Sequence, residues 1–248
     1  MSFNIRNSES NDGTNSWQYR YPATAMMLDE LKPDVIGIQE ALLEQVDYFK
    51  TVMDKEYKIV GVGRDDGKKA GEISAIMYNN KTVSLAKWGT FWLSDTPDTP
   101  GPGWDASTSR SVTWASMKDK ETGKKFVFVC VRMDGDGVDA QKNGIKLLAD
   151  KLAEINPDGA PVILAGDLNM SLSDAAFAPL KAVLDDARTT AVVTDDTPSF
   201  NGWGKSSKTV DYILYKGASC TKFETITKAY YERNFISDHY PVLGTFVF

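Results

Sequence analysis

Asp167 and Asn169 close the run Pro161-Val162-Ile163-Leu164-Ala165-Gly166-Asp167-Leu168-Asn169, in which four consecutive apolar residues lead into an acid, an apolar residue and an amide. Side chains alternate along a strand, so positions i and i+2 project together and aim a carboxylate and a carboxamide at one point past the strand's end. The acid can hold a hard cation or accept a proton there, and the amide can donate N–H to an anion without adding negative charge. A second reading makes the pair an Asx-rich turn capping the next helix, and the segment alone leaves both open.

Other polar residues stand in equivalent places. Glu40 ends the apolar run of Asp34-Val35-Ile36-Gly37-Ile38-Gln39-Glu40, either as a rim carboxylate or as an acid stabilised at a helix N-terminus. Asn4 lies on the polar face of an alternating opening segment, Glu72 at the entrance of a later strand, and Asp211 near the start of another. Asp238 and His239 precede the last strand, and His239 is the only histidine in the chain. A lone histidine is ordinarily structural, but its position after an acid at a strand mouth suits it to proton transfer. These residues fit one chemical scheme. Glu40 anchors Mg²⁺, Asp211 holds one nitrogen of His239 while the other takes a proton from water, and Asn4, Asn169 and the metal stabilise phosphoryl charge. The reaction class is metal-assisted phosphoester hydrolysis, and Glu72 is the one acid outside the scheme.

The elements that must position these groups alternate between strands and helices. Strands are expected over 1–6, 35–38, 57–62, 73–78, 83–93, 111–117, 125–131, 162–165, 209–215 and the C-terminal segment. Helices are expected at Met26, Met27, Leu28 and Leu31, stopped by Lys32-Pro33, and at Leu43, Val46 and Phe49. Ile145, Leu148, Leu152 and Ile155 give the best helical spacing, and Phe177, Leu180 and Leu184 give one more. The proline-rich loop 94–110 is long enough to be functional or mobile. Within it, Trp104 reads as an anchor in preference to a stacking face, and Arg110 as a phosphate clamp or a surface charge.

The 248 residues carry no linker, repeat or low-complexity tract, so one domain over 1–248 is expected, and 42% hydrophobic content suffices for its core. A net charge of −6 argues against a protein that grips nucleic acid through a basic face. Small phosphodiesters, sugar phosphates or lipid headgroups are therefore expected ahead of duplex DNA. No apolar run is long enough to span a membrane. Cys130 and Cys220 lack metal-type spacing and do not indicate a redox compartment.

Taken in order, Phe3-Asn4-Ile5-Arg6, DVIGIQE (34–40), GEISAIMY (71–78), GDLN (166–169), VDYI (210–213) and SDHYPV (237–242) resemble the endonuclease/exonuclease/phosphatase superfamily, with its deoxyribonuclease I-like fold. The resemblance implies an α/β (α+β) protein, a four-layer α/β/β/α sandwich of two mostly antiparallel or mixed sheets flanked by helices. It also implies a hydrolase of phosphodiesters or phosphomonoesters that uses Mg²⁺ or Mn²⁺. Carried over by motif, Glu40 binds metal with Asp238 as a further metal-side acid, and Asn4 and Asn169 contact phosphate or metal. Asp167 orients or activates the nucleophilic water, Asp211 pairs with His239, Glu72 supports the scissile group, and Arg110 contacts phosphate. A monomer is expected. Export to the periplasm or exterior of a bacterium, with any signal peptide missing from this chain, is an expectation from the resemblance alone.

One departure bears on activity. Where many relatives carry a strand-end histidine, the segment Cys130-Val131-Arg132-Met133-Asp134 has Arg132. An arginine can hold phosphate charge but cannot give up a proton near neutral pH, and losing such assistance costs about 10²–10⁴-fold in rate. The alternative to a working phosphoesterase is therefore a weak or inactive pseudoenzyme that binds a phosphorylated ligand. A glycoside hydrolase pairing Glu40 with Glu72 is more distant and requires the two carboxyls about 5–9.5 Å apart with no metal nearby.

Overall fold

A computed structural model describes residues 1–53 and 55–248. The strands are β1 (Ser2–Asn4), β2 (Val35–Ala41), β3 (Tyr57–Val60), β4 (Ile73–Asn79), β5 (Val83–Trp92), β6 (Ser111–Asp119), β7 (Lys125–Arg132), β8 (Val162–Asp167), β9 (Asp185–Asp186), β10 (Asp211–Lys216), β11 (Ser219–Thr225) and β12 (Val242–Val247). The helices are α1 (Trp17–Leu31), α2 (Leu43–Val52), α3 (Val138–Ile155), α4 (Ala178–Lys181) and α5 (Ala187–Thr190).

The strands form two six-stranded sheets, one in the order β11-β12-β1-β2-β4-β3 and the other β5-β6-β7-β8-β10-β9. Each sheet is antiparallel except for one central parallel pair, β1 with β2 and β7 with β8. Alternation along these strands builds three apolar layers. Val127, Val129 and Val131 of β7, with Val162 and Leu164 of β8, pack under Ile145, Leu148 and Leu152 of α3. Their alternates Phe126, Phe128, Cys130, Ile163 and Ala165 face the other sheet. Phe3, Ile36, Ile38 and Met77 of the first sheet pack under Met27 and Leu28 of α1 and Val46 and Phe49 of α2. Strands buried on both faces read as continuous apolar runs, which is why the sequence marks them so clearly.

The sheets approach closely beneath the rim. A Cβ placed on Gly37 would lie 3.1 Å from the Ala165 Cβ and 3.2 Å from the Cys130 Sγ, so β2 crosses β7 and β8 at van der Waals contact there. This small-residue seam sets the distance between the ends of β2 and β8, where Glu40 and Asp167 stand. Replacing Gly37 with valine is expected to force the sheets apart at a cost of about 1–3 kcal/mol, read by urea denaturation. It should also lower activity disproportionately to stability, because the two carboxylates separate.

The sequence expectations differ from the structure mainly at ends. The first strand stops at Asn4, and Arg6 has φ 57°, so the chain turns away where the alternation still reads as strand. The expected helix at Phe177, Leu180 and Leu184 reduces to a 3-10 turn and the single turn of α4. Helix α1 begins at Trp17, nine residues ahead of Met26, and contains Pro22. Loop 94–110 is tied down: Trp104 packs on the core that includes Leu93 and Leu148, and Asp105 accepts hydrogen bonds from the Asp139 and Ala140 amides at the start of α3. The anchor reading of Trp104 holds.

Candidate active site

Register places the chemistry. Asp167, the last residue of β8, is paired with Arg132 at the end of β7 on one side and with Asp211 at the start of β10 on the other. In the facing sheet, Asn4 ends β1 beside Gln39 of β2. The pairing of β2 with β4 then breaks between Ile38 and Ala41, and Glu40 adopts φ 62°. A non-glycine residue in the left-handed region is strained, and such strain persists where the surroundings fix it. Here the irregularity turns a buried glutamate into the cleft between the sheets.

Asn4 bridges that cleft. Its Nδ2 donates to Glu40 Oε1 at 2.8 Å and to Asp167 Oδ2 at 2.9 Å, and lies 3.5 Å from His239 Nε2. The Arg6 amide donates to Asn4 Oδ1 at 3.0 Å, which fixes the orientation of the carboxamide. Arg132 bridges it a second time, with NH2 2.8 Å from Glu40 Oε1, Nε 3.4 Å from Asp167 Oδ2 and NH1 3.5 Å from Glu72 Oε2. Among the described residues, one group of three acidic or histidine side chains could hold a metal. It comprises Glu40, Asp167 and His239, with candidate ligand atoms within 4.8 Å of one another. Two carboxylates in one buried group suit an oxygen-preferring divalent cation, so the donor set fits one.

His239 is buried, and its Nδ1 lies 2.8 Å from Asp211 Oδ2. Burial opposes the charged imidazole, but Asp211 and Asp167 outweigh it and raise the pKa to about 10. Burial pushes the Asp167 carboxyl up, with Asp211 adding to the effect against His239 and Arg132. Glu40 goes the other way: burial opposes its charge, yet Arg132 and the Asn4 hydrogen bond win and bring its pKa to about 2. A depressed carboxyl stabilises the fold above its ordinary pKa and loses that contribution as pH falls through the folded value. In metal-free buffer, the difference in thermal midpoint between wild type and Glu40→Gln is thus expected to hold steady above about pH 4.5 and to shrink toward pH 2. A difference that does not vary with pH would mean Glu40 is not held ionised by Arg132 and Asn4.

The remaining sequence candidates lie at increasing remove. Asn169, at φ 52°, donates Nδ2 to the Met133 carbonyl at 2.9 Å, while its amide donates to Asp167 Oδ1 at 3.1 Å. Glu72 is reached by Arg64, Arg132 and Asn7. Glu40 and Glu72 share Arg132 and Asn7 as partners. Asp238 accepts from the Ser237 hydroxyl and lies 3.7 Å from Arg6 Nε, outside the metal-capable trio. Arg110 donates Nε to Asp134 Oδ2 at 3.0 Å and lines the same small recess as Glu72.

Sequence reasoning missed the brace beneath this site. The fully buried Arg20 of α1 donates to four backbone carbonyls: Asn15, Ile5, Arg6 and Ile236. Its guanidinium lies 5.4 Å from the rings of Trp17 and of Trp203. It ties the chain after β1 to the segment leading into Asp238 and His239. Asn7, which donates to Glu40 and Glu72, was also passed over. Neither has a local signature, since an arginine in a helix and an asparagine in a polar loop read as solvated.

Comparison with known proteins places this arrangement. The profile of the Endonuclease/Exonuclease/phosphatase family matches residues 1–239. A mannosyl-6-phosphatase from Bacteroides thetaiotaomicron superposes with a TM-score of 0.94 at 33% identity, covering 100% of this chain and 98% of that one. An endonuclease/exonuclease/phosphatase from Bacteroides vulgatus gives a TM-score of 0.92 at 32% identity over 99% of this chain and 97% of its own. An uncharacterised protein of Acanthamoeba polyphaga mimivirus is 31% identical over 96 residues, which is 35% of this chain and 14% of the viral protein.

Proposed function

Because the chain belongs to the endonuclease/exonuclease/phosphatase family, whose members are metal-dependent hydrolases of phosphate esters, we propose that it cleaves the phosphomonoester of a small sugar phosphate. The observation that carries this reading is the convergence of Glu40 and Asp167, from opposite sheets, on Asn4 and within reach of His239. Glu40 and Asp167 would hold Mg²⁺ or Mn²⁺, which supplies Lewis-acid polarisation of a phosphoryl oxygen and charge neutralisation when bound.

The rest is the work of the chain itself. Asp167 orients the attacking water. Asp211 holds Nδ1 of His239, so the imidazole presents Nε2 to the cleft and can exchange a proton there. Asn4 donates toward the same space, and Asn169, held by its bond to the Met133 carbonyl, keeps the turn after Asp167 in place. Asp238 fixes Arg6 at the edge of the site. Arg132, with Arg64 and Arg110 around Glu72, supplies positive charge on the substrate side.

The small-substrate preference rests on three points. The chain is acidic overall at −6, Arg64, Arg110 and Arg132 line one narrow recess, and the chain is similar throughout to a mannosyl-6-phosphatase. A second reading, a phosphate binder without turnover, is favoured by Arg132 lying against both metal-capable carboxylates. Phosphate release from hexose 6-phosphates, an activated aryl phosphodiester and duplex DNA, each with and without Mg²⁺, separates them. The expected result is metal-dependent release, fastest from the sugar phosphates. Cleavage of DNA ahead of sugar phosphates would remove the substrate assignment, and no turnover at full metal loading would leave the binder.

A further inference from the structure

We propose that Arg132 is an internal counter-cation of Glu40 and Asp167 that leaves Glu40 when a divalent cation binds between the two carboxylates. The inference rests on the metal-dependent reading above and concerns how that site is regulated. Glu40 Oε1 and Asp167 Oδ2 each accept a hydrogen bond from Asn4 Nδ2; Arg132 Nε also donates to Asp167 Oδ2 at 3.4 Å, and its terminal Nη2 forms an ion pair with Glu40 Oε1 at 2.8 Å. Each oxygen thus has the Asn4 amide and the Arg132 guanidinium at contact distance, and a cation entering between them comes up against one of these two groups.

Burial decides which donor yields. Asn4 is fully buried and held by the Arg6 amide, whereas the Arg132 side chain is 21% exposed. Charge decides in the same direction, because a guanidinium within hydrogen-bond distance of an oxygen that also binds a divalent ion is a close like-charge contact. In the ion-free state the guanidinium is useful: it offsets Glu40, Asp167 and Glu72, which would otherwise repel one another in a buried site.

The displaced side chain has somewhere to go. NH1 already lies 3.5 Å from Glu72 Oε2. Glu40, Glu72, Arg132, Arg110 and Ser111 line one cavity of about 10 Å³, room for roughly one water. The buried Ser111 hydroxyl has no partner among the described residues and can accept an N–H. A short retreat from Glu40 toward Glu72 and Ser111 therefore exchanges one set of acceptors for another. With a cation held by Glu40 and Asp167, Arg132 would pass from partner of Glu40 to partner of Glu72 and Ser111 and keep its positive charge beside the site.

Calorimetric titration of metal-stripped protein with Mn²⁺ tests this without reference to activity. Arg132→Gln is expected to bind Mn²⁺ about tenfold or more tightly than wild type, the scale set by removing a unit charge next to the ligand oxygens. The metal-free variant should melt below wild type. Arg110→Gln, which removes the same charge one partner further away, should leave the affinity within about twofold. Equal affinities for wild type and Arg132→Gln, or equal tightening in Arg110→Gln, overturn the displacement while leaving the metal-enzyme reading intact. No Mn²⁺ binding to any of the three overturns both. If Arg132→Gln does not fold, Arg132→Lys is read in its place: the shorter side chain cannot bridge both carboxylates, so tighter binding supports the inference and unchanged binding contradicts it.

Discussion

Replacing His239 with alanine is expected to lower phosphate release by about 10²–10⁴-fold, the range for losing a positioned proton-transfer group. Mn²⁺ affinity should change far less, because Glu40 and Asp167 carry the cation's oxygen ligands. The imidazole is the only one in the chain, so no other histidine can substitute. Its environment is built for a proton: Nδ1 is 2.8 Å from Asp211, Phe200 packs against the ring with centroids 4.8 Å apart, and Nε2 faces the space shared by Asn4 and Asp167. Asp211→Asn should lose much of the same rate while retaining the fold, since the amide can still hydrogen-bond but cannot offset an imidazolium. If His239→Ala retained wild-type turnover on a poor leaving group, the proton-transfer role would have to be given up.

The second large effect is expected at Glu40. Glu40→Gln keeps the shape of the side chain and its contact with Asn4 but removes the charge that Arg132 and a divalent cation both require. Metal affinity should fall by at least about tenfold, and turnover should fall with it even at saturating metal, because transition-state stabilisation by the ion depends on its placement. Excess Mg²⁺ that restored full activity would show that Glu40 contributes affinity alone. The variant also leaves Arg132 with Asp167 and Glu72 as its acidic partners, so the metal-free protein should be less stable than wild type.

Much of this was legible in the sequence because buried strands announce themselves and their ends are where polar residues become conspicuous. The acids and amides at the ends of β1, β2, β8 and β10 were readable as a set, and the structure brings Asn4, Glu40, Asp167, Asp211 and His239 together as anticipated. Asp238 was harder. Adjacent to His239 in the chain, it points to Arg6, because neighbouring residues at a strand mouth face opposite ways. Arg132 was recognised as a departure from the resemblance, but its position between both sheets depends on the register of β7 with β8 and on the irregularity in β2. No local pattern encodes either feature. Arg20 and Asn7 were invisible for the same reason: their partners are backbone carbonyls and carboxylates brought in by the tertiary fold.

β11, whose residues Ser219–Thr225 mix polar and apolar types, was not anticipated, since an edge strand with one wet face lacks the continuous apolar run that marked the centre. The 3-10 turn at 175–177 and the short α4 carry helical spacing without helical length, so spacing overstated them.

The central claim is that carboxylates from two sheets, Glu40 and Asp167, share one divalent cation opposite His239. Anomalous diffraction from crystals soaked with Mn²⁺ and a phosphate analogue tests it most directly. The expected result is a single strong peak between the two carboxylates, with the analogue's oxygens toward Asn4 and His239 and Arg132 withdrawn from Glu40. A peak elsewhere, or none with Arg132 still bridging Glu40 and Asp167 at saturating metal, would contradict the claim.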